Sequence, residues 1–386
     1  MKKVAIIGAN EFQSVLIEKA KSLGHETHVF SWGGGEVGEI LADHFYQISI
    51  TEKEAIFKKC QEIGVDGVCS IASDLANITV HWVARKLGLM AHSAECIENT
   101  TNKFSMRNTL ALHQQPIPFY MLIESADEVE RLTIPFPVIV KPLDRSGSRG
   151  ITKANNFDEL NGAILHSQSV SFTNSVLIEE FVDGREFSIE SLSENGHHKV
   201  LQITEKFTTG SPKFIETAHL APARLTTTEY SKIELITMQA LTALGVQFGP
   251  SHSEVKLKNN NDVVIIEIGS RMGGDFIGSF LVESATNIDF VRLTLTQSLG
   301  ESINLAAIIP SLKPDDVYSM VYYQITDKNS DITLHDGVKI VELVINEGFT
   351  DNVSCSNERY SCAKLLIQKP QIDKITTLIE REYDSI

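Results

Sequence analysis

The sequence lacks any long hydrophobic run. Hydrophobic residues make up 42% of the 386 residues, but no stretch approaches the roughly 18 consecutive apolar residues of a membrane helix. The apolar run after the two N-terminal lysines, residues 4–7, is too short for a signal peptide and predicts a buried strand. We therefore expect a cytoplasmic protein with no membrane partner and two or three domains.

Basic residues are also scarce. Lysine and arginine total 34 against 50 aspartate and glutamate residues, which gives a formal charge of −16. A protein that grips nucleic acid neutralises phosphates with a basic stripe, and no such run is present. The composition therefore argues against a nucleic-acid partner, while a local basic site for a nucleotide stays compatible with it.

Cysteines are few and scattered. Their number is odd and their spacing does not fit a zinc site, which favours a reducing cytoplasm over a disulfide framework. None lies in a recognisable nucleophile setting. The five are Cys60, Cys69, Cys96, Cys355 and Cys362.

Strand and helix signals alternate over roughly residues 1–100, which predicts a parallel sheet of the doubly wound kind. Gly8-Ala9-Asn10 follows the first strand and invites a dinucleotide interpretation, but the G-x-G-x-x-G spacing is absent. A tight strand-to-helix turn is the simpler interpretation, and a contribution to a substrate pocket is the alternative.

An apolar strand, Val138–Lys141, leads through Pro142 into a loop rich in glycine, serine and arginine at 144–150. On its own, Lys141 in this strand is also compatible with a surface lysine whose stem packs on apolar residues. The loop changes this interpretation, because glycine lets backbone N–H groups approach an anion and the side chains add donors suited to phosphate. Since the Walker pattern is absent, the sequence predicts a phosphate clamp of another type.

A second apolar strand, Val176–Phe181, meets paired acids, a turn and a further acid. Adenine needs a flat apolar slot with backbone donors and acceptors at its edge, and a ribose needs a carboxylate. The backbone of Glu180–Val182 suits the base, and Glu186 suits the ribose. A surface hairpin with solvated acids is the alternative on this segment alone.

Two acids interrupt consecutive predicted strands. Glu254 lies in Ser253–Leu257, Glu267 lies in Val263–Ile268, and a strong turn signal at 259–262 separates them. A hairpin would bring the two carboxylates together. Such a pair suits Mg²⁺ (or Mn²⁺), which prefers oxygen ligands and shares them with substrate phosphates.

Arg271 follows Glu267 by four residues and precedes a glycine pair. This setting suits a bidentate grip on a carboxylate or on a developing phosphate. The alternative to a metal site is an ion pair between one of the two acids and Arg271 or Lys256.

Taken in order, these segments resemble the ATP-grasp superfamily over roughly residues 1–300. The resemblance implies ATP and Mg²⁺ as cofactors, Glu254 and Glu267 as metal ligands and Glu186 as the ribose carboxylate. It assigns the remaining nucleotide contacts to two lysines, a mobile lid over the phosphates and an adenine hinge. These are Lys103 and Lys141; Ser146, Gly147, Ser148, Arg149 and Gly150; and Glu180, Phe181 and Val182, with Glu179 as a further nucleotide contact.

One position departs from the family pattern. Many members have Asn two residues after the second metal-binding Glu, whereas this sequence has Gly269. The departure leaves open whether one or two metal ions are bound, and water is an alternative to the missing ligand.

A narrower resemblance lies in residues 214–223, FIETAHLAPA. It is similar to the Phe-x-Glu-x-x-His-x-x-Pro-Ala stretch of the L-amino acid ligases, which make dipeptides. The resemblance implies that Glu216 and His219 lie at the amino-acid site and that Arg271 contacts the acyl-phosphate intermediate. A carboxylate suits a substrate ammonium, and a neutral imidazole suits removal of a proton from an attacking amine.

The implied fold class is α/β and α+β, the ATP-grasp fold. We expect an N-terminal Rossmann-like domain over 1–100, a small lid subdomain over 101–190, a large subdomain with the metal and substrate site over 191–300, and a β-rich subdomain over 301–386. No cluster of potential catalytic groups is expected after about residue 300.

The sequence therefore predicts an ADP-forming carboxylate–amine ligase that works through an acyl phosphate. Its expected partners are small-molecule carboxylate and amine substrates, with amino acids favoured, and a homodimer is compatible with the resemblance. Three alternatives stay open: a carboxyphosphate-forming enzyme of the purine or carbamoyl-phosphate type, a nucleotide-binding protein without turnover, and an NAD-dependent dehydrogenase.

Overall fold

The computed structural model contains three sheets. It describes residues 1–123, 133–144, 149–310, 317–327, 335–346 and 355–383, together with the single positions 332, 349 and 353. The loop residues Ser146, Gly147 and Ser148, which are predicted to form part of the lid, lie outside the described residues. No helix in the described part of the chain is long and apolar enough to cross a membrane.

The strands and helices follow one another along the chain in this order: β1 Lys3–Ile7, α1 Glu11–Ser22, β2 Glu26–Ser31, α2 Val37–Leu41, β3 His44–Gln47, α3 Lys53–Ile63, β4 Gly67–Cys69, α4 Asp74–Leu87, α5 Ala94–Thr101, α6 Lys103–Leu112, β5 Tyr120–Ile123, β6 Val138–Pro142, β7 Thr152–Ala154, α7 Phe157–Val170, β8 Val176–Glu180, β9 Arg185–Glu194, β10 His197–Thr208, β11 Glu216–Ala221, α8 Thr227–Ala243, β12 Gly249–Leu257, β13 Val263–Gly269, α9 Val282–Thr286, α10 Phe290–Ser298, β14 Val317–Gln324, β15 Val338–Ile345, β16 Ser361–Gln368 and α11 Ile372–Tyr383.

The first sheet is parallel, with strand order β3-β2-β1-β4. Two of the helices beside it, α1 and α4, begin at side-chain caps. The Asn10 carboxamide accepts hydrogen bonds from two backbone N–H groups at the start of α1, and the Ser73 hydroxyl accepts one at the start of α4. The prediction of a parallel N-terminal sheet is confirmed, and the turn at Gly8–Asn10 is a strand-to-helix turn.

The second sheet is small and antiparallel, with order β5-β8-β6-β7. Helix α7 covers one face through an apolar core that includes Leu160 and Ile164. This arrangement places Lys141 on β6 and Glu179 on the adjacent β8.

The third sheet has eight strands in the order β13-β12-β9-β10-β11-β14-β16-β15. All of its pairings are antiparallel. Strands β14, β15 and β16, which belong to the segment predicted as a C-terminal subdomain, continue the same sheet as β9–β13. No break in this sheet marks the predicted boundary at residues 300/301. The four predicted domain ranges therefore stay predictions.

One apolar core joins the first and third sheets. Helix α10 returns to the N-terminal region, where Val291 and Leu295 pack in the same buried cluster as Ile6, Leu16 and Leu192. Full burial of a large aliphatic side chain stabilises a fold by roughly 1.5–3 kcal/mol. The contact therefore fixes the N-terminal region against the large sheet, beside the cleft described next.

Candidate active site

A cleft lies where the second sheet, the third sheet and the N-terminal region meet. Its wall combines apolar side chains with an unusual number of charged ones. The charged and titratable lining residues are Asp74, Lys103, Lys141, Arg149, Glu179, Glu180, Glu186, Lys206, Glu216, His252, Glu254, Lys256, Glu267, Arg271 and Asp275.

A buried ion triplet fixes Lys141. The Lys141 ammonium lies 2.5 Å from one Glu179 oxygen, and Arg107 Nε donates to the other oxygen at 2.6 Å. Burial lowers the pKa of Lys141, although Glu179 opposes this shift. Because both carboxylate oxygens of Glu179 are engaged, its side chain acts as an anchor for Lys141, and the nucleotide contact predicted for Glu179 stays a prediction.

The predicted adenine and ribose residues follow directly after β8. Glu180, Phe181 and Val182 all line the cleft, and Glu186 enters it from the start of β9. The Lys153 ammonium lies 3.9 Å from the centre of the Phe181 ring. The cleft here offers an apolar wall with a carboxylate in the same lining, and the N–H groups of Glu180 and Phe181 already donate to the Phe119 and Pro137 carbonyls at 2.9 Å.

The acids predicted to bind metal lie opposite each other in the β12–β13 pair. Glu254 and Glu267 are direct partners in the register, as the predicted hairpin requires. Their side chains stay 19% and 32% exposed, so both carboxylates reach the cleft. Lys103 Nζ lies 3.2 Å from Glu267 Oε1. Two carboxylates on one side of a phosphate-sized cleft are a donor set that fits Mg²⁺.

Lys206 connects three parts of the cleft. Its ammonium lies 3.0 Å from a Glu186 oxygen, 2.9 Å from a Glu216 oxygen and 3.1 Å from a Glu254 oxygen. Burial disfavours its charge, but the three carboxylates raise the pKa of Lys206 well above its usual value. The predicted ribose, metal and substrate carboxylates therefore share one buried cation.

His252 and Glu190 form a second buried pair beside the predicted metal ligands. His252 Nδ1 lies 2.5 Å from Glu190 Oε1, and the Gly273 N–H donates to Glu190 Oε2 at 3.1 Å. A Cβ atom at Gly273 would lie 2.3 Å from Glu190 Oε1. Only glycine fits this position, because a side chain would displace the buried carboxylate.

Arg271 is held by a residue of the N-terminal region. Its Nε and Nη2 atoms donate to the two carboxylate oxygens of Asp74 at 2.7 and 2.9 Å. Burial raises and Arg271 lowers the pKa of Asp74, and the net shift is downward. Both residues line the cleft.

The residues of the narrower resemblance lie at the same end. Glu216 lines the cleft, and its Oε2 atom accepts a hydrogen bond from the Ser356 hydroxyl at 3.2 Å. His219 is buried behind Asp275, with Nε2 3.7 Å from Asp275 Oδ2. His219 is absent from the cleft lining, so it faces the cleft only across Asp275.

Arg359, from the C-terminal part of the chain, packs against the end of the cleft that contains Glu216 and Asp275. Its guanidinium donates to both Asp275 oxygens at 3.1 and 2.8 Å and lies 3.4 Å from the centre of the Tyr323 ring. Burial opposes the charge of Asp275, but Arg359 holds the pKa of that carboxyl well below its usual value. The expectation of no functional cluster after residue 300 is wrong, because Ser356 and Arg359 fold back onto Glu216 and Asp275.

The predicted lid is represented by its last two residues. Arg149 lines the cleft, and Gly150 has a φ of +70°. All the other predicted nucleotide, metal and substrate residues within the described ranges lie in the cleft or directly behind its wall.

Sequence reasoning did not identify Asp74, Lys206, His252 or Arg359 as site residues. The signal was weak in each case. Lys206 lies in an otherwise ordinary alternating strand, and Asp74 is a common residue type for the first turn of a helix. Their importance arises from partners that are distant in the sequence.

A family comparison identifies the central part of the chain. Residues 134–279 match the model of the ATP-grasp domain. The chain has the ATP-grasp fold, as predicted, and the match to the ATP-grasp domain covers less than half of its length.

Three individual proteins that resemble this chain share 22–27% sequence identity with it. The chain is 27% identical to an uncharacterized protein, y4rH, of Sinorhizobium fredii over 88% of its own length and 72% of the relative. It is 24% identical to the carbamoyl phosphate synthase large chain of Caldanaerobacter subterraneus over 72% of its length, but the match spans only 26% of that larger chain. The solved L-amino acid ligase from Bacillus licheniformis superposes with a TM-score of 0.80 at 22% identity, covering 100% of this chain and 97% of that one.

Proposed function

We propose that this protein is an ATP-dependent, ADP-forming ligase that activates a carboxylate as an acyl phosphate and joins it to an amine, with an amino acid as substrate. The observation that carries the proposal is the convergence in one cleft of a lysine pair, an opposed pair of acids and Arg271. Binding of ATP alone does not require all of these groups. The likeness to an L-amino acid ligase supports the choice of substrate.

The geometry suggests a division of labour along the cleft. Lys103 and Lys141 face the phosphates, and Glu186 takes the ribose. Glu254 and Glu267 would hold Mg²⁺, which when bound supplies positive charge to the phosphates. Water is excluded most effectively at the substrate end, where buried ion pairs form the wall.

The reaction proceeds in two steps. A substrate carboxylate oxygen attacks the γ-phosphorus and ADP leaves, while the guanidinium of Arg271 stabilises the charge that spreads over the transferred group. The amine nitrogen then attacks the acyl carbon and inorganic phosphate leaves. Glu216 binds a substrate ammonium, and the imidazole of His219, beside Asp275, takes the proton that the attacking amine loses.

An ADP-release screen over pairs of amino acids, with mass spectrometry of the products, tests this proposal. We expect ADP formation that depends on a particular pair and a product mass equal to the pair minus water. ADP formation with bicarbonate alone would support the carboxyphosphate alternative, to which the match with carbamoyl phosphate synthase points. Nucleotide binding without any ADP formation would favour a non-catalytic protein.

A further inference from the structure

The N-terminal region contributes more than one contact to the segment that carries Arg271. In addition to the Asp74 carboxylate, the Ala72 N–H donates to the Met272 carbonyl at 3.2 Å. The Asn77 carboxamide donates to the Ser270 carbonyl at 3.3 Å. The segment around Arg271 is therefore fixed on both sides by residues from the start of α4.

The bidentate pair of hydrogen bonds from Arg271 to Asp74 fixes the orientation of the guanidinium. An arginine has five N–H donors in a fixed plane. Within the described residues, Asp74 takes two of them and the Met272 carbonyl takes a third at 3.2 Å. The remaining donors are left for an anion in the cleft that Arg271 lines.

Gly269 provides a second, independent observation. A Cβ atom at this position would lie 3.3 Å from Asp74 Oδ1 and 3.5 Å from the Arg271 guanidinium. A contact at 3.3 Å is tighter than most, so a larger residue would push the pair apart by a few tenths of an ångström. The glycine that departs from the family pattern thus leaves room for the Asp74–Arg271 pair.

We infer that Asp74 is a positioning residue, through which the N-terminal region holds Arg271 in the orientation that stabilises the transferred phosphoryl group. This inference rests on the proposed function for its effect on turnover. The inference gives the N-terminal region a role in orienting Arg271, although the sequence of this region lacks a dinucleotide fingerprint. It also accounts for the position of the start of α4 beside the cleft. Asp74 acts only through Arg271 and does not contact the reacting atoms.

The central test compares Asp74→Asn with Asp74→Glu in the full-length protein. The amide keeps the size of the side chain but cannot accept two charge-assisted hydrogen bonds from Arg271. We expect kcat to fall by about 10- to 100-fold, with little change in the KM for ATP and partial recovery in the glutamate variant. Exposed Asp158 on α7 supplies the matched control, Asp158→Asn, which should retain wild-type kcat.

A double-mutant cycle separates positioning from general damage. If Asp74 acts through Arg271, then Asp74→Asn should add little further loss in an Arg271→Lys background. Gly269→Ala should produce a smaller fall in kcat than Asp74→Asn, because it shifts the pair without removing it. Additive losses in the cycle, or wild-type kcat in Asp74→Asn, would overturn the inference.

Hydrogen exchange tests the anchoring without relying on turnover. In Asp74→Asn the backbone amides of residues 270–274 should exchange faster than in the wild type, while those of β9 should not change. Unchanged exchange in this segment would refute the anchoring. If the wild-type protein forms no ADP with any substrate pair, the proposed function fails, and the exchange data still decide whether Asp74 anchors Arg271.

Discussion

The two ends of the cleft are built differently. At the end proposed to bind the nucleotide, lysines pair with glutamates: Lys141 with Glu179, and Lys103 with Glu267. At the end proposed to bind the substrate, arginines donate two hydrogen bonds each to aspartates, in the pairs Asp74–Arg271 and Asp275–Arg359.

This difference has a physical meaning. An ammonium group is a point charge with three rotatable donors, so a lysine can exchange a carboxylate for a phosphate with little rearrangement. A guanidinium bound side-on to a carboxylate is fixed in plane and direction. At the proposed nucleotide end Lys141 is therefore held as a point charge by Glu179, whereas at the proposed substrate end each guanidinium is also fixed in direction. Lys206 contacts carboxylates of both ends and links them.

The largest expected effect is at the predicted metal site. Glu267→Ala removes one of two opposed carboxylates and with it the ion pair between Lys103 and Glu267. We expect ADP formation to fall by about 10³-fold or more, measured with the best substrate pair from the screen. Glu301→Ala, at an exposed acid paired with Lys2, is the control. Equal turnover in the wild type and Glu267→Ala would contradict the metal assignment.

Breaking the outer arginine pair tests whether the substrate end is preorganised. Arg359→Gln leaves the Asp275 carboxylate, whose side chain is 17% exposed, without the buried Arg359 guanidinium. Removal of one partner from a buried pair typically costs about 3–5 kcal/mol, so the free energy of unfolding in urea should fall by about 3 kcal/mol. Among molecules that remain folded, the KM for the amino acid should rise and the KM for ATP should not. A parallel rise in both values would mean that the two ends are not independent.

His92 lies outside the cleft lining and allows a pH effect on stability to be compared with the effects of the cleft residues. It is buried against Phe248, with ring centres 4.4 Å apart, and burial lowers its pKa to about 4. A histidine with a depressed folded-state pKa stabilises the fold above its unfolded pKa of about 6.5, and this contribution is lost as the pH falls toward 4.

Lowering the pH from 6.5 to 5 should therefore cost about 2 kcal/mol of stability at this site. Urea unfolding at both pH values measures the loss, and His92→Gln should reduce the pH dependence. An unchanged pH dependence in His92→Gln would assign the acid sensitivity to other groups, such as the neighbouring buried His81.

The smallest effect is expected from the apolar wall of the substrate end. Phe12 lines the cleft and packs edge-to-face on Phe276, with ring centres 5.0 Å apart. Phe12→Ala should raise the KM for the amino acid several-fold, which corresponds to about 1 kcal/mol, and leave the KM for ATP unchanged. The ratio of the two KM values is the measurement. A selective rise in the KM for ATP would place Phe12 at the wrong end.

The nucleotide end was largely predictable because its residues lie on short, recognisable segments. The strand that carries Lys141, the strand before Glu180 and the hairpin that joins Glu254 to Glu267 all form as predicted. Hydrophobic runs and turn residues encode such elements locally. Strand β11, which carries Glu216 and His219, was recognised only as a motif and not as a strand.

The substrate end was less predictable because its charges find their partners across the chain. Asp74 and Arg271 are 197 residues apart, and Asp275 and Arg359 are 84 apart. No local sequence pattern predicts an ion pair between residues so far apart in the chain. The glycine at 269 illustrates the limit: the sequence shows that a common ligand is missing, but only the structure shows which side chains use the space.

The sequence by itself predicted the parallel N-terminal sheet through periodicity and composition within a few residues. It predicted the ATP-grasp fold through the resemblance of its ordered motifs to that superfamily. Only the tertiary structure decided that strands before and after residue 300 belong to one sheet and that Lys206 contacts three carboxylates. It also decided that Asp74 and Arg359 contact the charged residues of the proposed substrate end. These features depend on burial, because a charge taken out of water must find its partner wherever the fold brings one close.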